Sequence, residues 1–591
     1  MKKLVKLTVI LMFGFFATTA WSSNIQIFES PTIEHSGNNV LVKFGLSWDY
    51  SWRTVDPNNW DAAWVFVKFR VGSGPWEHMY LDHNFVPVAG NDNGVAMTHE
   101  YGSSFVPDVN GNRNRAVGVF LYRRNNGRGN IRWEDVTLRW NRAEAGIYHG
   151  SNVLATDEIT VRVFAIEMVY VPEGNFFVGS GNNTAAVGEF ARADRHSSVA
   201  EPFLITSEAA IPIRARPGVG GFVDADGVAN NHAGPVRPGG LTTTSNVFTG
   251  NPSTAAPVAN SIGLIGEGEE GIPAAFPKGH RAFYMMKYEI TQGAYVDFLN
   301  TLTVPQQIMR TRSTSETSAA THRAMLQSNA SDRNYIKVVR QGVIEFGVDM
   351  NNNNIMNEEA DGHGVACAMN ILDLMAYLDF AGLRPMTELE FEKAARGPRE
   401  AIPNEFAWGS TFWSTQAAQT GPALAAPAQH NAWFLDGGLP TERPFMANVN
   451  HMAASQWAVG RNGMFATDSS GRVISGASYW GIMELSGNLW ELAINVINAD
   501  GRAYTGQHGD GRLTPGGSQD VIGWPVNHFA FGIRGGSAGE AIGVASSHTI
   551  SGRTGAFWNT GMPTTTMGGA GNSWNVGGRG VRTAHTQSQL P

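Results

Sequence analysis

From Val40 to Trp48 every second residue is large and apolar: Val40, Val42, Phe44, Leu46 and Trp48 alternate with Leu41, Lys43, Gly45, Ser47 and Asp49. A period of two places one set of side chains on one face of an extended chain, so the segment has to be a strand with one buried face. The pattern returns at Val136, Leu138 and Trp140 and again at Ile159, Val161, Val163 and Ala165. Ala63–Arg70 and Val117–Arg123 are denser aromatic and β-branched runs. Several strands separated by Asn/Gly/Pro turns predict a β-sandwich over residues 23–166. Charged residues make up 16% of the chain, where about 25% is usual. With 69 Gly in 591 residues, that composition points to turns and loops rather than helical bundles.

Lys2, Lys3 and Lys6 precede an apolar run from Leu7 to Phe16 and the small residues Ala17–Ala20. Charged, apolar and small regions in that order predict a secretory signal peptide over residues 1–22, too short for a stable span. The expected destination is extracellular or the cell surface, with the periplasm as an alternative. No later segment offers the roughly 18 apolar residues of a membrane helix. A net charge of −8 gives no electrostatic case for nucleic acid. Cys367 is the single cysteine, so no disulfide closes within the chain and stability must come from burial.

Past Met168 the texture changes. Residues 181–275 are rich in Gly, Ala, Pro, Thr and Asn, which predicts an insertion with turns and short strands. Three helices follow. Thr291 is the N-cap of the first, whose face is Tyr295, Phe298, Leu299 and Leu302. The second follows Asn370, carries Ile371, Leu374, Met375 and Leu378, and stops at Gly382. The third opens with the capping box Thr387-Glu388-Leu389-Glu390 and ends at Gly397.

Five segments then share a spelling. Glu167–Phe176 with Gly179-Ser180, Phe283–Thr291 with Tyr295 and Phe298-Leu299, Arg384–Gly397, Gly481–Glu491, and Arg534-Gly535-Gly536-Ser537 with Gly578–Arg582 resemble, in order, the motifs of the formylglycine-generating-enzyme (sulfatase-modifying-factor) family. The resemblance covers about residues 167–582 and implies a C-type-lectin-like domain over 167–591, with few helices and many loops. The whole chain is then expected to be α+β: an N-terminal β-sandwich followed by this domain.

In that family the oxidase converts a sulfatase cysteine to formylglycine with copper(I) held by two cysteines, because a soft monovalent cation prefers thiolate sulfur. Carried over, the cysteine positions fall near Glu540 and Ala545, and neither is cysteine, so copper is not expected. Iron held by histidines at helical spacing, used by another branch, has no counterpart: the closest pair, His78 and His83, is five residues apart. No Gly-x-Ser-x-Gly elbow or phosphate loop occurs.

Calcium is the expected structural ion. Asp349, Asn351, Asn353 and Asn357 stand at positions 1, 3, 5 and 9 of a loop over 349–361, with the Ile355 carbonyl at position 7. That is the oxygen alternation of an EF-hand-like loop. Asn354 replaces the turning glycine and Ala360 the closing glutamate, so a solvated Asn-rich turn stays open. The resemblance implies two further sites: Asn448, Val449, Asn462 and Met464; and the Ser486, Gly487 and Leu489 carbonyls with the Glu491 carboxylate. The alternative for Glu491 is a pairing with a neighbouring cation or backbone amides.

The functional expectation is a secreted, non-catalytic binding or surface-assembly protein that recognises an extracellular glycan or protein, or self-associates. The alternative is an oxidase or divergent enzyme of the same family. Trp558 and Trp574, in Gly/Thr-rich loops, are the expected ligand contacts.

Overall fold

In the computed structural model, the described residues are 25–101, 105–106, 115–142, 153, 157–181, 189–192, 201–212, 241–243, 271–311, 335–340, 344–349, 364–411, 459–463, 465–466, 471–538, 548–553, 555 and 575–584. The architecture is mostly sheet, with six α-helices among the described residues. The strands that position the sites are β1 (Asn39–Val55), β2 (Asn58–Val71), β3 (Val119–Arg123), β4 (Gly127–Asn141), β5 (Ile159–Val171) and β6 (Phe283–Met286). After them come helix α1 (Gln292–Leu299), helix α2 (Ile371–Phe380), β7 (Arg384–Pro385) and helix α3 (Glu388–Arg396). The chain closes with β8 (Trp490–Ile494), β9 (Phe531–Arg534), β10 (Val576–Gly577) and β11 (Gly580–Thr583).

One sheet runs β1-β2-β5-β6-β11-β7, with β4 on β1 and β3 on β2. β1 and β2 pair only beside their turn, from Arg53↔Trp60 to Val55↔Asn58. Beyond it they separate into two layers. The alternation of β1 has its expected meaning: Val40, Val42, Phe44, Leu46 and Trp48 face Ala63, Val65, Val67 and Phe69 of β2 and Trp133 of β4 in one buried cluster. Trp48 and Trp133 meet edge to face at 5.3 Å, the geometry their ring quadrupoles favour.

β2 reads as a dense apolar run because both of its faces are covered. Its other face, Trp60, Ala62, Trp64 and Phe66, belongs to a second cluster with Tyr284, Phe380 and Ala381. Helix α2 ends against this face, and the last carbonyls of a helix lack intrahelical donors. Here the Trp64 indole donates to the Ala381 carbonyl at 2.8 Å and the Lys68 ammonium to Phe380 at 2.9 Å. A cation at a helix C-terminus also meets the favourable end of its dipole.

β5 carries the chain from the first layers into the rest of the molecule. Ile159–Val169 pair with β2 while Met168–Val171 pair with β6. Trp48, Trp52, Trp60 and Trp64 are all buried, so these four tryptophans are packing residues. Within 181–275, Phe190–Arg192 pair with Leu241–Thr243, Phe203–Ile205 pair with Phe176–Val178, and Ile211 bridges Ile272.

The helices start where their caps predict. The hydroxyl of Thr291 accepts from the Ala294 amide, the Asn370 side chain from Asp373, and Thr387 forms the reciprocal box with Glu390. Gly397 stops α3 at φ +71° with the Tyr479 ring packed where a Cβ would stand, a place only glycine fits.

Candidate functional site

The turn before β8 is built from left-handed residues: Glu484 at φ +55°, Gly487 at +100° and Asn488 at +62°. Asn tolerates that conformation, whereas a glutamate there is strained. The turn turns inward onto Glu289, the residue two before the α1 cap. Glu289 accepts from the Leu489 amide at 3.0 Å and from the Asn488 side-chain amide. Asn462 closes the group: its amide donates to the Glu289 carbonyl at 2.8 Å and its oxygen lies 3.2 Å from the Asn488 amide. Two separately expected site fragments, Asn462 and Ser486–Glu491, are thus brought together around Glu289.

Glu491 sits on β8, fully buried, with both carboxylate oxygens held by Arg579 at 2.6 and 2.7 Å. The remaining Arg579 donors go to the carbonyls of Met286, Lys287 and Met483. No hydrogen bond among the described residues ends on the carbonyl oxygens of Ser486, Gly487 or Leu489. The set therefore offers calcium three backbone oxygens and a carboxylate already neutralised by a guanidinium. A hard divalent cation needs oxygen ligands that carry charge, so on this donor set calcium competes directly with Arg579.

Carboxyl groups outnumber cations here. Burial pushes Glu289 well above the usual carboxylate range, with Glu491 adding to it. Burial also lifts Glu484 to about 7, against the Gly463 amide and Arg579. Glu484 accepts from that amide at 2.6 Å through one oxygen, and its other oxygen is buried without a partner. Next to them Lys287 bonds Glu167 at 2.6 Å, and Asp61, which accepts from the Trp48 indole, Ser51 and the Trp52 amide, is pushed to about 7 by burial and Glu167.

A second assembly surrounds α3. Glu388, Glu392 and Arg396, one helical turn apart, point into Arg534 of β9, Arg553 and Glu405. Burial raises Glu392, yet Arg534 and Arg396 together outweigh it and hold its carboxyl below the ordinary range.

Asp349, the first residue of the expected calcium loop, is buried and bonds Lys337 at 2.6 Å. Asn351, Asn353, Ile355, Asn357, Asn448, Val449, Met464, Trp558 and Trp574 lie outside the described residues, as do Glu540, Ala545 and residues 1–22. Ser486 donates to the His548 carbonyl at 2.7 Å and accepts from the Ala407 amide at 3.0 Å.

One group escaped the sequence reading. The carboxyls of Asp379, Asp510 and Asp520 lie within 4.8 Å of one another, drawn from α2 and a loop more than a hundred residues on. The amides of Asp510 and Asp520 both donate to Asp379, so the cluster is organised first by backbone.

Cys367 is buried against α1 and α2, and burial followed by Asp373 pushes its thiol far up. A neutral thiol is a poor ligand for copper(I), and no second cysteine exists in the sequence to pair with it. These donors do not fit copper held by two sulfurs.

Residues 264–530 match the family model described as the sulfatase-modifying factor enzyme 1-like domain. The match takes in α1 to α3, Glu289, Asn462 and Ser486–Glu491, and ends before Arg534 and Arg579. No curated protein matches the chain.

Proposed function

We propose that this chain, which carries a sulfatase-modifying factor enzyme 1-like domain over residues 264–530, uses it as a non-catalytic scaffold for binding or surface assembly outside the cell. The observation that carries the reading is the thiol inventory. Cys367, the single cysteine, is packed in the core with its thiol held neutral, and the copper chemistry of the oxidase requires two exposed thiolates. The proposal includes the export signal over residues 1–22, a β-sandwich formed by the two layers around Trp48 and Trp133, and an extracellular glycan, protein or second copy as partner. Calcium enters it as a structural ion at the Ser486–Glu491 turn, weakly held because Arg579 occupies Glu491.

The test is direct. Mature protein loaded with copper is incubated in air with a cysteine-containing sulfatase peptide, and the peptide mass and dissolved oxygen are followed. Unchanged peptide and no oxygen uptake are expected. Conversion of the peptide cysteine to formylglycine establishes the oxidase and overturns the proposal.

A further inference from the structure

β2 lies between β5 and the short strand Glu77–Met79. The register sets Phe66 opposite Phe164, Lys68 opposite both Arg162 and His78, and Arg70 opposite Thr160. Residues directly opposite share a face, so this face runs from the ring cluster of Phe66, Phe164 and Phe380, with Phe66 stacked on Phe164 and edge-on to Phe380, outward through Lys68 to its rim. Lys68 is spoken for: its ammonium donates to the carbonyls of Phe380 and Gly511. At the rim, two half-buried arginines converge on one half-buried ring. The Arg70 guanidinium carbon stands 4.8 Å from the Trp76 centroid and that of Arg162 5.5 Å from it.

This arrangement has no internal acid. Neither arginine takes part in an ion pair among the described residues, and Arg70 Nε and Arg162 Nη1 are buried with no hydrogen-bond acceptor. Guanidinium stays charged at any physiological pH, and two such groups around one indole repel. The ring quadrupole attracts each of them, but it supplies no acceptor for the buried N–H groups. An oxyanion at the rim offsets the repulsion and accepts charge-assisted hydrogen bonds from the guanidinium N–H groups that remain open to solvent, the two arginines being only half-buried. In a protein of net charge −8, an uncompensated cationic pair is a local exception.

We propose that Arg70, Trp76 and Arg162 form a binding site for an oxyanion, the sulfate or carboxylate group of an acidic glycan. The two guanidiniums take the charged group, and Trp76 fixes their spacing and contributes an apolar edge beside it. This gives the binding reading above a ligand chemistry and rests on it only for the site's purpose; the oxidase assay and the anion titration succeed or fail separately.

The experiment is calorimetric titration of the mature protein with sodium sulfate, with a sulfated oligosaccharide, and with a neutral oligosaccharide of the same length. Saturable binding of the sulfated probe and none of the neutral one is expected. The Arg70→Gln/Arg162→Gln variant is expected to weaken it at least tenfold with the circular dichroism spectrum and melting temperature retained. Arg399→Gln, which removes the same charge from an exposed position beside Tyr479, is expected to leave affinity unchanged. If the double glutamine variant does not fold, Arg70→Lys/Arg162→Lys keeps the charge and loses the forked geometry, and a several-fold weakening is expected. Sulfate binding as tightly as the oligosaccharide identifies a free-anion site; tighter oligosaccharide binding identifies the glycan. Absence of binding by both sulfated probes overturns the proposal, as does affinity that the arginine pair does not influence or that Arg399→Gln weakens equally.

Discussion

Two buried charge assemblies, one around α3 and one around the turn before β8, are equally hidden from water and differently balanced. Around α3, Glu388, Glu392 and Glu405 meet Arg396, Arg534 and Arg553, one cation for each acid. Around the turn, Asp61, Glu167, Glu289, Glu484 and Glu491 face Lys287 and Arg579. Desolvation acts on both, but only the first supplies a guanidinium for every buried carboxylate, whereas the second has Arg579 and Lys287 for five acids. Its Glu392 is held below the normal range while Glu289, Glu484 and Asp61 are driven up. A balanced cluster is a fastener. An unbalanced one stores protons, or yields them to a cation.

The largest effect that tests this contrast belongs to the balanced cluster. Arg534→Met takes one of two arginines from each of Glu388 and Glu392, leaving Arg553 and Arg396 alone to hold them, and removing one member of a buried pair costs about 3–5 kcal/mol. Denaturant unfolding should show a loss of that size; a loss below about 1 kcal/mol would mean the cluster fastens nothing. Asp61 tests the other side. Its pKa is raised in the folded protein from 3.8 to about 7, so between those values the folded state binds more protons than the unfolded one. Stability is then fully present below about pH 4 and is lost as pH rises through 7, a change of a few kcal/mol for a shift of this size. Asp61→Asn should flatten that slope in melts from pH 4 to 8. A variant with the parent slope removes Asp61 as its source.

How much of this is legible in the sequence depends on separation along the chain. The β1 alternation and the helix caps are local, and Val40–Trp48, Thr291, Asn370, Thr387 and Gly397 do what their spelling predicts. β2 is half legible: its apolar density is plain, but with Trp64 buried on one face and Val65 on the other the period of two is masked. The Glu491–Arg579 pair spans 88 residues, and the Asp379, Asp510 and Asp520 carboxyls converge from α2 and a distant loop. No periodicity encodes such meetings. The first follows from β8 pairing with β10 just before Arg579, and the second from the 510–520 loop lying against the end of α2, which is tertiary structure. Glu491 and Arg579 each stand in a recognisable motif, Gly481–Glu491 and Gly578–Arg582, but nothing in either spelling says that the two meet.

That meeting sets the next prediction. If calcium occupies the Ser486–Glu491 turn, it must draw Glu491 away from Arg579, so millimolar calcium should raise the melting temperature of the parent protein only slightly. Arg579→Met frees the carboxylate and should tighten calcium by about tenfold, about 1.4 kcal/mol, seen as a larger calcium-dependent rise from a lower baseline. Equal rises in the two proteins would separate the ion from this turn.

The smallest expected effect is at Cys367. Its thiol donates only a long contact to Ala368 at 3.7 Å and otherwise fills space between α1 and α2. Cys367→Ala should therefore cost about 1 kcal/mol, the value for a small apolar deletion, and leave ligand binding untouched. This prediction bears on both assemblies because Cys367 touches neither: if the substitution abolishes binding or oxidation while the fold persists, the thiol is chemistry rather than packing, and the contrast between fastener and proton store no longer locates the function.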